Sequence, residues 1–435
     1  MSPVIKPRIL LLTSLIATGC SSPETGAPTA SEVESVHVVK DASGTRLMVD
    51  GAPFMINGLN WDYYPIGTNY EYSLWSQPDE IIEAALDREM GLVKAMGANT
   101  IRQYVGVPPR WVAHIWRNYG IYTILNHAAG RYGVAIDGEF VSQTDYSDSR
   151  VQQQLVGEIE EMVREFEDVP GVLMWLLGNE NNYGLVWSSA ETEAIPVEQR
   201  DSARARWLYR TLGLAVEAVK QVDDRRPVAI ANGDLQYLDM IGEEIPGLDI
   251  FGANVYRGPS FTGAFVEVDE KLGLPVLFTE FGLDAFDAKQ EVEDQLSQSR
   301  ALLSNWHEIY SEAAGMGKVG NALGGLTFQW SDGWWKFLQD RNLDVHDTNA
   351  SWPNDAYPVD FVPGANNMNE EWFGIVAKGP TDPRDQFALI PRAAYYTLQQ
   401  MHQYDPYDPA ATPESLDALV RAIDPVADVQ RASAD

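Results

Sequence analysis

Eight times along this chain a short apolar segment gives way to an amphipathic stretch, and no other feature limits the possible folds as severely. The apolar segments run from Phe54 to Trp61, Thr100 to Tyr104, Ile121 to His127, Val172 to Asn179, Pro227 to Asn232, Ile250 to Tyr256, Pro275 to Gly282 and Gly324 to Asp332. Helical patterning lies between them, near Ile81 to Met96, after Pro108 and Pro109, and over Val151 to Glu167, Asp201 to Val222 and Gln290 to Ala314. Strand and helix in alternation demand parallel strands joined by right-handed crossovers. Eight such units within roughly 280 residues favour a closed (β/α)8 TIM barrel, an α/β fold, over an open doubly wound sheet. The open sheet also lacks its usual support, since no glycine-rich phosphate cradle follows the first strand.

Before the first barrel segment, apolar and polar residues alternate from Val36 to Ile56 around two turn sequences, Asp41-Ala42-Ser43-Gly44 and Asp50-Gly51. This predicts two β-hairpins capping the bottom of the barrel. After the last segment, Phe337 to Met401 is rich in Asp, Asn, Pro and Trp and reads as long loops leading into a closing helix over Pro391 to Met401. Asp405 to Asp435 is acidic and rich in Ala and Pro, a peripheral tail with one helix expected over Pro413 to Ile423. The chain therefore divides into a leader at 1–20, a flexible tether at 21–35, the barrel with its extensions at 36–403, and the tail at 404–435.

In a closed barrel, residues at the C-terminal ends of the strands face the site, whereas mid-strand residues pack the core. That rule selects Asn60, Trp61, Arg102, His127, Asn179, Glu180, Asn232, Asn254, Tyr256, Glu280, Gln329 and Trp330, nearly all polar or aromatic. Two of these ends carry carboxylates. LMWLLGNENNYG, Leu173 to Gly184, breaks from an apolar run into Asn179-Glu180, and PVLFTEFG, Pro275 to Gly282, ends in Glu280. Strands four and seven lie across the mouth from each other, so the pair suits retaining glycosidic cleavage. That chemistry needs two carboxyl groups roughly 5–5.5 Å apart, one protonated to assist the leaving oxygen and one ionised to attack. Arg102 and Tyr256 are placed to orient Glu280, and Asn179 to bond a sugar 2-hydroxyl. Glu180 is expected beside Trp175 or Trp187, in surroundings that raise its pKa, and Trp330 to offer a face on which a pyranose stacks.

The formal charge of −32, from 63 acidic against 31 basic residues, excludes nucleic acid and polyanionic substrates as bulk partners and fits a neutral ligand. The three acids Asp62, Asp284 and Asp332 follow strand ends without the His/carboxylate spacing of a metal centre, so neither a metal nor another cofactor is expected. At the start, Lys6 and Arg8 precede a short apolar run that ends at Cys20, the only cysteine. The run is too short for a permanent membrane span and reads as a cleaved export signal. Ala17-Thr18-Gly19-Cys20 resembles a bacterial lipoprotein signal, which implies cleavage before Cys20, lipidation of its sulfur and a cell-envelope location, with plain secretion as the alternative.

Taken together, Arg102 in NTIRQY, Asn179-Glu180 in LLGNE, Tyr256 in NVY, Glu280 in FTEFG and Trp330 in TFQWSDG resemble clan A of the retaining glycoside hydrolases. The nearest likeness is to the family 2 catalytic barrel, and more distantly to the β-1,3-glucanosyltransferases. It covers about Phe54 to Trp335, and GAPFMINGLNW and PRAAYY are similar to the family 2 opening and closing segments. The resemblance implies that Glu180 is the acid/base and Glu280 the nucleophile, with Arg102, Asn179, Tyr256 and Trp330 in support. His127 follows the third strand, where the clan often contacts sugar; a satisfied supporting histidine is the equal alternative. Asn60, Trp61 and Trp335 are further candidates for substrate contact among the aromatic loops. The β-sandwich domains usual before the family 2 barrel have no room after the tether, which points to an open cleft and to endo action or transglycosylation. The expected function is retaining hydrolysis or transfer on a neutral β-linked glycan, a β-1,3-glucan first, with mannan, galactan and xylan left open. A non-catalytic carbohydrate-binding lipoprotein and a barrel enzyme of other chemistry are the rivals.

Overall fold

Each of the eight apolar segments forms one strand of a closed parallel barrel. The computed structural model describes residues 33–434 apart from 105, 353–366 and 385. The leader at 1–20 with Cys20, and most of the tether, lie outside the described residues. The barrel strands are β1 (Ile56–Asn60), β2 (Thr100–Tyr104), β3 (Tyr122–His127), β4 (Val172–Leu177), β5 (Val228–Gly233), β6 (Ile250–Asn254), β7 (Val276–Phe281) and β8 (Ala322–Thr327). Each pairs in parallel with its sequence neighbour, and β8 pairs with β1 to close the ring. Closure removes both sheet edges, so no strand is left with an unpaired ladder.

The crossovers are helices α1 (Asp79–Ala95), α2 (Pro109–Tyr119), α3 (Ser149–Phe166), α4 (Arg200–Val222), α5 (Leu238–Glu244), α6 (Ala264–Leu272) and α7 (Gln295–Ser311), and α8 (Ala393–Met401) follows β8. Their ends follow local chemistry. Pro109 opens α2, where the missing N–H costs no hydrogen bond, and Gly120, at φ 69°, ends it. The Asp148 side chain caps α3 by accepting from the Arg150 amide. Where β8 closes on β1 the ring draws tight: Gly324 sits at φ +126° with Ile56 O 2.1 Å from where a Cβ would stand, so only glycine fits.

Apolar packing occurs in two layers. Inside the barrel, residues such as Ile124, Leu173, Ile250 and Leu326 fill the lumen below the mouth. The antiparallel strands Val36–Asp41, Gly44–Val49 and Ala52–Phe54 form the two expected hairpins. Their residues Val36, Leu47 and Val49 join that inner cluster. Thr45 N donates to Gly320 O and Val36 N to Arg225 O, both in turns that enter strands, which fixes the hairpin sheet at the barrel's N-terminal end. Outside, the helices bury a second layer against the strands, with Trp175, Trp306 and Trp330 fully covered.

The loops hold more structure than the sequence pattern suggests. Within the Phe337–Met401 region, Val376–Thr381 and Phe387–Pro391 form an antiparallel hairpin. The tail carries two helices, α9 (Pro413–Ala422) and α10 (Pro425–Ala432), where one was expected. It docks on α7 and α8: Leu416 is buried, and Asp428 accepts from the Thr397 hydroxyl at 2.6 Å. Among the described residues no helix is long and apolar enough to cross a membrane.

Candidate active site

Arg102 organises the mouth of the barrel. Projecting inward from β2, it is fully buried. Its Nη1 donates to Glu280 Oε1 at 2.7 Å, to Asn60 Oδ1 at 3.2 Å and to Thr279 O at 3.1 Å. Its Nη2 donates to Asn179 Oδ1 at 2.8 Å and to Asn126 Oδ1 at 2.7 Å, and Nε also reaches Asn126 Oδ1, at 3.0 Å. One planar guanidinium thus ties β1, β2, β3, β7 and the loop after β4 into a single polar layer, a task its rigid fork of donors suits. Arg102→Ala is expected to cost about 3–5 kcal/mol of stability, read by denaturant unfolding, because it strands a buried carboxylate. Arg102→Lys, a point charge in place of a fork, is expected to recover only part of it.

Glu280 accepts from two tyrosines besides Arg102. Tyr256 OH donates to Oε2 at 2.9 Å and Tyr104 OH to Oε1 at 3.2 Å. Three donors converge on one carboxylate and fix its direction toward the space above the barrel. Glu180 is held differently. It follows Gly178, which turns the chain at φ +80° and has Asn181 Oδ1 2.8 Å from where a Cβ would sit. Glu180 itself adopts φ 55°, an uncommon backbone for a residue with a side chain. Burial, reinforced by the like charge of Glu280, pushes its pKa up to about 7, while Asn254, Arg131 and Arg102 oppose the rise. Asn179 joins the two halves: its Oδ1 also accepts from Asn254 Nδ2 at 3.1 Å, and its Nδ2 donates to Tyr132 OH at 2.9 Å.

The structure therefore brings together Asn60, Arg102, Asn179, Glu180, Asn254, Tyr256 and Glu280. It does not bring in His127, Trp61 or Trp330. His127 points out of the barrel, where Nδ1 accepts from the Ala129 amide at 3.1 Å and Nε2 lies 3.8 Å from Glu158 Oε2 on α3. Its neighbour Asn126 is the residue facing inward. Trp61 and Trp330 are buried behind the sheet, and both indoles donate to the Glu89 carboxylate on α1, Trp61 at 3.0 Å. A residue 0% exposed offers no face to a sugar. Trp330→Phe is accordingly expected to lower stability by about 1–3 kcal/mol, through a buried acceptor deprived of one donor, with KM for a glycan unchanged. Thermal unfolding and initial-rate kinetics separate the two effects.

Trp335 sits at the rim, edge-on to Tyr64 at 5.4 Å and Tyr70 at 5.7 Å. The apolar surroundings of Glu180 are not the tryptophans expected. Trp175 donates outward to Asp223 at 3.1 Å, and Trp187 is buried against Tyr146. Asn232 faces α4 and accepts from Tyr209 OH. Asp332 is gripped by both Arg392 Nη atoms at 2.6 and 2.9 Å, and Asp284 accepts from the Asn369 amide. Among the described residues no group of three or more His, Cys, Asp or Glu is placed to hold a metal ion.

Tyr104, Asn126, Tyr132 and Phe328 belong to the site's surroundings but are absent from the sequence-based selection. Two-residue alternation would have found the first two, since Tyr104 shares the face of Arg102 and Asn126 the lumen side that His127 leaves. Tyr132 lies in the loop after β3 and Phe328 just past β8, packed edge-to-face on Tyr256; no periodicity signals either.

Comparison with known proteins agrees with the barrel fold. Residues 44–314 match the family model for the glycosyl hydrolases family 2 TIM barrel domain. Among solved structures, a GH2 β-galacturonidase from Eisenbergiella tayi bound to galacturonate aligns with TM-score 0.51 at 17% identity, over 85% of this chain and 54% of that one. A β-glucuronidase from an uncultured Clostridium species gives TM-score 0.51 at 16% identity, over 85% and 53%. One from Bacteroides uniformis gives 0.54 at 15%, over 85% and 37%. The chain spans about half the length of the first two, and at these identities the likeness is one of fold. No curated protein matches the chain. With 271 of its 435 residues (44 through 314) under that family model, the chain belongs to glycoside hydrolase family 2, whose TIM barrel domain it carries.

Proposed function

We propose that this chain is a retaining β-glycosidase acting on a neutral β-linked glycan, with Glu280 as nucleophile and Glu180 as acid/base. The observation that carries the reading is the unequal setting of the two carboxyl groups. Glu280 accepts from an arginine and two tyrosines, whereas burial and the charge of Glu280 favour the protonated form of Glu180. A carboxylate held by three donors, facing a carboxyl kept protonated, divides the work of attack and proton donation. In the first step the Glu280 carboxylate bonds to the anomeric carbon as the glycosidic bond breaks, and the Glu180 proton passes to the departing oxygen. In the second, Glu180 takes a proton from water or from a sugar hydroxyl, whose oxygen displaces Glu280.

Transfer to a sugar acceptor is supported by two exposed tyrosines beside the acid/base, Tyr132 at 63% and Tyr183 at 47% exposure. Tyr183 N donates to the Glu180 carbonyl, and Tyr132 OH reaches Asn179. An aromatic acceptor site favours a sugar over water. β-Glucan remains the first substrate to try, with mannan, galactan and xylan beside it. Incubation with this panel, followed by mass and anomeric analysis, tests the reading: β-configured products support it, and α-configured products or none overturn it. Products longer than the starting oligosaccharide decide for transfer. The reading includes export with lipidation at Cys20, and release of a Cys20→Ala variant from the membrane fraction is the expected result.

A further inference from the structure

Beside the paired glutamates, a separate cavity of about 220 Å³ lies between the loops after β1 and β2. It falls below the roughly 300 Å³ at which pockets for drug-sized ligands begin, and so suits one sugar residue rather than a chain. Its lining includes Trp61, Asp62, Tyr64, Tyr70, Ser73 and Tyr104, so Trp61, which stands away from the paired glutamates, borders this cavity instead. Tyr104 links it to the reaction centre, because the same hydroxyl that faces Glu280 belongs to a ring on the cavity wall.

Asp62 is the feature without a structural explanation. It follows Trp61 directly, is half-buried, and accepts no hydrogen bond from the described residues. Burial raises its pKa against the opposing charges of Lys378 and Lys336. Neither lysine is committed to it: Lys378 Nζ donates to Tyr64 O at 2.9 Å, and Lys336 Nζ lies 3.4 Å from Glu370. A carboxylate kept open toward a cavity has two oxygens ready for hydroxyl donors. Opposite chemistry stands beside it in Tyr70, which is 55% exposed and braced by Trp335. Free acceptor oxygens next to an exposed aromatic face are what a neutral pyranose requires, since its hydroxyls donate and its C–H face stacks.

We propose that this cavity is a subsite for the glycosyl unit preceding the one cleaved, with Asp62 accepting from its hydroxyls and Tyr70 stacking on its ring. The inference rests on the glycosidase reading above and deepens it. Position assigns the side of the scissile bond: the cavity joins the centre through Tyr104, which holds the nucleophile, and not through Glu180, which serves the leaving group. The subsite thus takes the glycone side, and the substrate carries at least two neutral sugar units before the bond that breaks.

The test compares kcat/KM on a neutral β-linked trisaccharide with kcat/KM on the aryl β-glycoside of the same sugar, which cannot fill the subsite. In Asp62→Ala and Tyr70→Ala the ratio of the two is expected to fall tenfold or more, and Tyr70→Trp is expected to restore it. An unchanged ratio, or equal loss on both substrates, overturns the subsite while the glycosidase reading stands. If the unaltered protein cleaves neither, the glycosidase reading fails and the subsite, defined by the bond it would cleave, is overturned with it.

Discussion

Replacing Glu280 by glycine is expected to lower kcat by about 10⁴- to 10⁶-fold, the scale on which removal of a covalent nucleophile acts. Added azide is expected to restore turnover with an α-glycosyl azide as the product. Glycine leaves a hole lined by Arg102 Nη1, Tyr104 OH and Tyr256 OH, the three donors that held the lost carboxylate. A small anion fits that hole, keeps the donors satisfied, and attacks the anomeric carbon from the face Glu280 used. With no ester formed, a single displacement inverts the β-configured substrate. Circular dichroism or thermal unfolding establishes that the variant folds, and the configuration of the azide adduct is the deciding measurement. A β-configured adduct would move the nucleophile to another residue. An unrescued variant with native stability would show that these donors do not form the site.

The barrel itself was legible because its determinants are local. Eight apolar runs and their intervening helical periodicity specify strand and helix order, and handedness then leaves one closed arrangement. The catalytic layer was legible only as far as a strand end can be located. Glu180, Glu280, Arg102, Asn179 and Tyr256 lie at those ends and converge. His127, Trp61 and Trp330 lie at the same ends and do not, because a strand alternates its faces and one residue's shift sends a side chain to the helices instead of the lumen. The two tryptophans serve Glu89, a buried acid on α1 whose pKa burial lifts to about 7 against the pull of both indoles. That pairing joins residues far apart in sequence, and no local pattern encodes it. Asp62 was visible only as one of three acids following strands. Its distinction from Asp332, which Arg392 neutralises, exists only in three dimensions.

Glu180 is raised from the usual carboxyl range to about 7, by burial first and the charge of Glu280 second. A raised pKa means the proton is present below that value and lost above it. The first step needs that proton, so kcat/KM, which reports the free enzyme, is expected to fall about tenfold per pH unit above pH 7 for substrates with poor leaving groups. Aryl glycosides whose leaving group departs without protonation are expected to lose this limb. Glu180→Ala is expected to lose it for every substrate, to retain the first step on activated aryl glycosides, and to yield a β-glycosyl azide with azide, because the Glu280 ester still forms and is displaced from the opposite face. Persistence of the limb in that variant would assign the titration to another group. Forming the ester also removes the Glu280 charge, the second cause of the shift, so the pKa of Glu180 must drop once the intermediate exists. The same side chain is then biased toward its ionised form at the moment it has to accept a proton from the incoming hydroxyl. Carbon-13 NMR of labelled glutamate, in the free protein and after trapping the ester with a 2-fluoro glycoside, reads that drop directly; an unchanged value would mean that the two carboxyl groups do not sense each other.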